Sequence, residues 1–80
     1  MVVVRGDIRD KVSGEILPWT LVFIGDSKGF SDERGEFEFI VPIGTYTCGV
    51  RHAYYEPVTL VDQDITGDSE LQFRPIRAKL

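Results

Sequence analysis

In the stretch Gly35-Glu-Phe-Glu-Phe-Ile-Val41, apolar Phe37, Phe39 and Val41 alternate with Glu36 and Glu38. A strand turns successive side chains to opposite faces, so this segment predicts a half-buried strand with its carboxylates in water. The next segment repeats the period: Tyr46, Cys48, Val50 and His52 share one parity, and Thr45, Thr47, Gly49 and Arg51 the other. Leu21-Val-Phe-Ile24 is apolar on both parities, the mark of a central strand or of one covered on its second face. Val58 and Leu60, then Leu71 and Phe73, complete the inward set. No stretch has the three-to-four spacing of an amphipathic helix. Strands are expected over 2–9, 17–25, 28–32, 36–41, 45–53, 56–62 and 70–77, an all-β pattern of short strands at the spacing of a sandwich or barrel.

The breaks between strands carry turn chemistry. Asp26-Ser-Lys-Gly29 and Asp32-Glu-Arg-Gly35 both place Asp first and Gly fourth, as a type I turn with a permissive exit does. The gaps are short, so consecutive hairpins are expected across 21–41. Pro42-Ile-Gly44 and Thr66-Gly-Asp-Ser69 predict the two remaining reversals.

Composition narrows the chemistry. The 80 residues include thirteen acids, nine bases, one Cys and one His, for a net charge of −4. A length of this order holds one domain, expected to span 1–80. Cys48 has no intramolecular partner for a disulfide, and one Cys with one His falls short of a four-ligand zinc site. The bases are scattered among acids, with Arg74, Arg77 and Lys79 the densest group, which disfavours nucleic acid. The apolar runs Val2–Val4 and Leu21–Ile24 fall far below the ~18 residues that span a bilayer. Arg5, Asp7, Arg9, Asp10 and Lys11 interrupt any leader-like apolar run. The compartment is expected to be cytoplasmic if Met1 is the native start, and extracellular or cell-surface if the chain is a domain of a longer exported protein.

Four motifs in order resemble the carboxypeptidase regulatory-like domains. Gly6-Asp-Ile-Arg-Asp10 and Ser13-Gly-Glu-Ile-Leu-Pro18, followed by Leu21–Ile24, are similar to the family's opening. That opening reads Gly-x-Val-x-Asp, then Thr-Gly-x-Pro-Leu-x-Gly-Ala, then an apolar strand, and Trp19 and Thr20 stand where Gly-Ala is usual. Ser31-Asp-Glu-Arg-Gly-Glu-Phe-Glu-Phe39 resembles the Thr-Asp-x-x-Gly-x-Phe-x-Leu hairpin. Pro42-Ile-Gly-Thr-Tyr-Thr-Cys48 resembles the Pro-x-Gly-x-Tyr-x-Leu turn and strand, and His52-Ala-Tyr-Tyr55 the later Gly-aromatic pair. The resemblance implies a transthyretin-like (prealbumin-like) fold, a seven-stranded antiparallel Greek-key β-sandwich. It also implies a non-catalytic accessory module that supports or contacts other protein domains. A Tyr after the Pro-x-Gly reversal is expected to bond its hydroxyl back to loop backbone, as tyrosine corners do.

Individual residues fit that role. Aromatics at strand ends serve as core lids or as a contact patch, and Trp19, Tyr54 and Tyr55 are the candidates. The patch would take another protein domain or subunit; self-association through edge strands is a further expectation, and a carbohydrate-binding module is the alternative. A transthyretin-type small hydrolase is disfavoured, because His52 stands alone and the chain lacks the C-terminal Tyr-Arg-Gly-Ser signature. Asp62, Asp64 and Asp68 are weak candidates for calcium. Arg5-Gly-Asp7 spells an integrin-type tripeptide, but inside an expected strand rather than at a loop apex. Cys48 is expected to be a buried, inert thiol. No cofactor, nucleic acid or inserted membrane segment is expected.

Overall fold

The computed structural model describes residues 1–79, which hold seven strands and no helix. They are β1 (Val2–Ile8), β2 (Leu21–Ile24), β3 (Ser27–Phe30), β4 (Glu36–Val41), β5 (Gly44–Arg51), β6 (Val58–Ile65) and β7 (Ser69–Phe73). Two sheets form a sandwich, one ordered β4-β1-β7 and the other β3-β2-β5-β6. The inward parities of both supply one core: Val4, Ile8, Val22, Ile24, Phe37, Val41, Cys48, Val50, Ile65 and Phe73 are all buried. Phe37 anchors it, with its ring centroid 5.8 Å from Phe73 and 6.1 Å from Phe39. Strand β2 is the interior strand that its double apolar parity predicted. Val22 and Ile24 enter the core while Leu21 and Phe23 lie half-buried on the outer face.

The sandwich departs from the antiparallel expectation at one pair. Strand β7 runs parallel to β1, with Gly6 opposite Leu71 and Ile8 opposite Phe73. The reason is topological: β6 lies in the other sheet, so the chain crosses layers after Ile65 and re-enters beside β1 in the same direction. Gly6 permits the approach, since a Cβ there would collide with the Leu71 carbonyl oxygen.

The consecutive hairpins across 21–41 are corrected as well. Strands β2 and β3 form a hairpin, but β4 belongs to the opposite sheet. The β2–β3 turn is the two-residue Gly25–Asp26, not Asp26–Gly29, because Gly25 at φ +57° supplies the positive φ that a tight hairpin needs. Gly29 instead lies in β3, facing Phe39. The turn at Asp32–Gly35 forms as expected: the Gly35 N–H donates to Asp32 O at 3.0 Å, with Gly35 at φ +73°. Asp32 Oδ1 accepts from the N–H groups of Arg34 (2.8 Å) and Glu36 (2.9 Å). Tyr46, following Pro42-Ile-Gly44, donates its hydroxyl to Pro42 O at 2.6 Å, the predicted tie.

The second strand begins at Leu21 rather than at 17, since 17–20 is drawn into a loop anchored by buried Leu17 and Thr20, described below. The sixth begins at Val58 rather than 56 and runs on past 62 to Ile65, so that Asp64 joins Asp62 within it. It carries one extra residue where the register shifts between Tyr46 and Cys48, and Asp62 adopts φ +53° there. A bulge of this kind twists the exposed edge of β6 away from casual strand pairing.

Candidate binding surface

The loop before β2 is built on a buried polar knot. Thr20 and Ser31 are almost fully enclosed. The Thr20 N–H donates to Ser31 Oγ (2.9 Å), and Ser31 Oγ and Thr20 Oγ1 both donate to Leu17 O (2.9 and 3.1 Å). The Trp19 N–H donates to Ser31 O at 3.1 Å. This knot holds Trp19 at φ +57°, a left-handed conformation that is unfavourable for a bulky residue and costs on the order of 1–3 kcal/mol. The indole it carries is 67% exposed. A strained backbone therefore presents the chain's one tryptophan to solvent.

Trp19 leads into the outer face of the four-stranded sheet. There Phe30 of β3, Leu21 of β2 and Arg51 of β5 form one cross-strand row, and Phe30 is 68% exposed. One step along, the Phe23 ring lies over Gly49, where a Cβ would be 2.7 Å from the ring. The Arg51 guanidinium stacks on Phe23 at 5.1 Å from its centroid. It also donates to Val50 O (2.8 Å), Val58 O (3.0 Å) and Thr59 Oγ1 (2.9 Å). All these partners are neutral. Arg51 is an oriented cation with no carboxylate partner among the described residues.

The outer face of the other sheet has the opposite character. Carboxylates of Asp7, Asp32, Glu36, Glu38 and Glu70 line a groove of about 520 Å³ together with Arg5 and Phe30. Asp7 is paired with Arg74 at 2.9 Å and with Arg9 at 3.5 Å, and Arg5 reaches Glu38 at 3.9 Å. The Arg5-Gly6-Asp7 tripeptide is thus part of a paired strand, with Arg5 facing Glu38 of β4 and Asp7 held by Arg74 just past the end of β7.

The three aromatic candidates separate. Trp19 and Tyr54 are open to solvent, Tyr54 at 57%, whereas Tyr55 is only 8% exposed. Trp19 precedes Leu21 and Tyr54 follows Arg51, and these two residues are cross-strand partners. Both aromatics therefore leave the same end of the four-stranded sheet. Tyr55 is a core lid, not a contact residue: its hydroxyl donates to Asp10 Oδ2 at 2.7 Å. His52 lies half-buried, with its Nδ1 accepting the Tyr54 N–H at 3.1 Å and its ring edge-on to Tyr55 at 5.0 Å. Cys48 is fully buried, and burial pushes its thiol pKa upward, which disfavours the reactive thiolate.

The acidic candidates do not converge. Asp64 Oδ1 accepts the Thr45 hydroxyl (2.7 Å), Asp68 Oδ1 accepts the Val3 N–H (2.9 Å), and Asp62 sits at the β6 bulge. Among the described residues no three His, Cys, Asp or Glu side chains gather as a metal site. Phe30, Phe23 and Arg51 were missed as surface residues. Phe23 had a signal in the double apolar parity of Leu21–Ile24, but exposure of that second face depends on nothing packing over the sheet; Phe30 and Arg51 join it only through cross-strand register with Leu21.

No protein-family profile and no curated protein matches the chain. Solved structures do. A chain from the type II cohesin–X-dockerin complex of Acetivibrio cellulolyticus, a C-terminal interface mutant, is 25% identical with a TM-score of 0.78 over 95% of this chain. A Bacteroides uniformis protein provisionally assigned to carbohydrate binding has 17% identity and a TM-score of 0.74 over 95% of this chain. A Bacteroides fragilis protein of unknown function has 19% identity and a TM-score of 0.66 over 99%. The present chain spans 56%, 41% and 28% of those chains. The two lower identities speak to the fold alone.

Proposed function

We propose that this chain is a single non-catalytic β-sandwich module of the carboxypeptidase regulatory-like, Greek-key type, and that it docks another protein domain through the outer face of its four-stranded sheet. The observation that carries this reading is Trp19, a large exposed aromatic held in left-handed backbone at a position where the resembled family carries glycine. Glycine would hold that conformation without strain. A tryptophan kept there at a cost in stability is explained by what its ring does outside the fold. The sheet face it leads into carries Leu21, Phe23, Phe30 and an oriented Arg51, and aromatic side chains and Arg are enriched at protein–protein interfaces. The similarity to a chain of a cohesin–X-dockerin complex favours the same reading, since that structure is named for a protein–protein assembly.

Replacing Trp19 with a photo-crosslinking phenylalanine analogue in the source cells tests it. The expected result is a discrete protein adduct that is absent when the same analogue stands at Asp64, on β6. An adduct pattern equal at both positions sinks the reading.

Carbohydrate binding is the second reading, motivated by exposed Trp19 and Phe30 and by the B. uniformis structure. It requires the emission of Trp19 to respond to neutral oligosaccharides.

A further inference from the structure

We propose that a second copy of this chain docks about a two-fold axis at Phe30. This identifies the partner and so rests on the reading that the Trp19 face docks protein. Phe30 belongs to two surfaces at once. It stands in the outer row of the four-stranded sheet beside Leu21, and it lines the acidic groove of the other sheet. On one flank are the cations Lys28 and Arg51, neither of which meets a carboxylate among the described residues. On the other flank are Asp32, Glu36 and Glu38, of which Glu38 already has Arg5 at 3.9 Å and Asp32 and Glu36 have no salt-bridge partner among the described residues.

The order across this edge is cation, aromatic, carboxylate. A two-fold axis through the aromatic centre sets the cationic flank of each copy on the acidic flank of the other, twice over, while Phe30 and Trp19 close the apolar middle. No other symmetric pairing of these faces achieves this. Acidic groove on acidic groove opposes carboxylates, and cationic face on cationic face opposes Arg51 to itself. Strands β3 and β4, which meet at this edge, are both terminal strands of their sheets, so nothing within the chain lies beyond them.

Sedimentation velocity between about 10 µM and about 1 mM protein reads the association. The expected result is a reversible monomer–dimer equilibrium that stops at two copies. It weakens by about tenfold or more in Phe30→Ala and in Trp19→Ala, and weakens as salt rises from about 0.05 M to about 0.5 M. Lys28→Glu, at an exposed position, should weaken it without unfolding the domain, and adding Glu36→Lys to Lys28→Glu should restore it. Circular dichroism of each variant verifies the fold. A chain that remains monomeric at the highest concentration in low salt overturns the two-fold contact. So does a dimer indifferent to Phe30→Ala, or growth into open polymers. A monomer that still gives a position-19 adduct to a different protein overturns only the second copy as occupant. A monomer whose Trp19 emission is quenched by oligosaccharide replaces both the dimer and the protein-docking reading.

Discussion

The Tyr55 hydroxyl donates a 2.7 Å hydrogen bond to Asp10 Oδ2, joining positions 45 residues apart. Asp10 Oδ1 at the same time caps the loop that follows β1, accepting from the Val12 (2.7 Å) and Ser13 (3.0 Å) N–H groups. The bond therefore ties the β5–β6 connection to the first loop. Tyr55→Phe leaves the carboxylate its backbone partners but removes this tie. We expect its midpoint of thermal unfolding to fall by about 5–10 °C, as followed by circular dichroism. The bond, with burial behind it, also raises the Tyr55 pKa above the ordinary 10.0. Its contribution is present below pH 10 and is lost as the pH rises through the higher folded value, so Tyr55→Phe should show a shallower alkaline decline.

The acid limb of stability should have two identifiable sources. Backbone N–H donors hold the carboxyls of Asp10 and Asp32 below the ordinary 3.8. Ser13 is the largest cause for Asp10, ahead of Tyr55, and Glu36 is the largest for Asp32. Both groups bind protons more weakly when folded, so their contributions are full above the unfolded value and fade as the pH falls through the folded ones. Thermal midpoints should be flat from neutrality to about pH 5 and should drop below about pH 4. Asp10→Asn and Asp32→Asn should be less stable at pH 7 and each show a flatter acid limb.

Gly6→Ala should be far more damaging than Gly67→Ala. The added methyl at position 6 meets the Leu71 carbonyl and lies 2.8 Å from the Phe37 ring, whereas position 67 has nothing within 4 Å. Urea unfolding should give a loss of about 3 kcal/mol or more at Gly6. At Gly67 the change should stay within about 0.5 kcal/mol.

Trp19→Gly separates the ring from the fold. Glycine relieves the positive φ, so stability should be unchanged or rise by up to about 1 kcal/mol, despite the loss of the largest side chain in the loop. A marked loss of stability would assign the indole to the core after all. Urea unfolding of the purified variant measures it.

Much of this architecture was legible because a strand with one wet face writes its burial into alternate residues. Phe37, Phe39 and Val41 against Glu36 and Glu38 is the plainest case, and the tie from Tyr46 to Pro42 followed from the turn that precedes it. The partnerships between sheets were harder to read. Strand β3 carries few apolar residues and ends on an exposed Phe30, so nothing local says that the chain then leaves for the other sheet. The candidate surface had the same difficulty: Tyr54 and Tyr55 are adjacent and chemically alike, yet one is exposed and the other is bonded to a residue 45 positions away.

The amino-acid sequence by itself determined the all-β class, the number of strands, the inward set of Phe37, Val50 and Phe73, and the turns at Asp32–Gly35 and Pro42–Gly44. These follow from side-chain alternation and from the backbone preferences of Gly, Pro and Asp, which act over a few residues. Tertiary structure alone decided that β7 runs parallel to β1, that Trp19 stands in left-handed backbone on a knot of Thr20 and Ser31, and that Phe30 joins a cationic face to an acidic groove. Each depends on which distant segment occupies the neighbouring space, and the hydrophobic effect that brings such segments together has no direction written into any one of them.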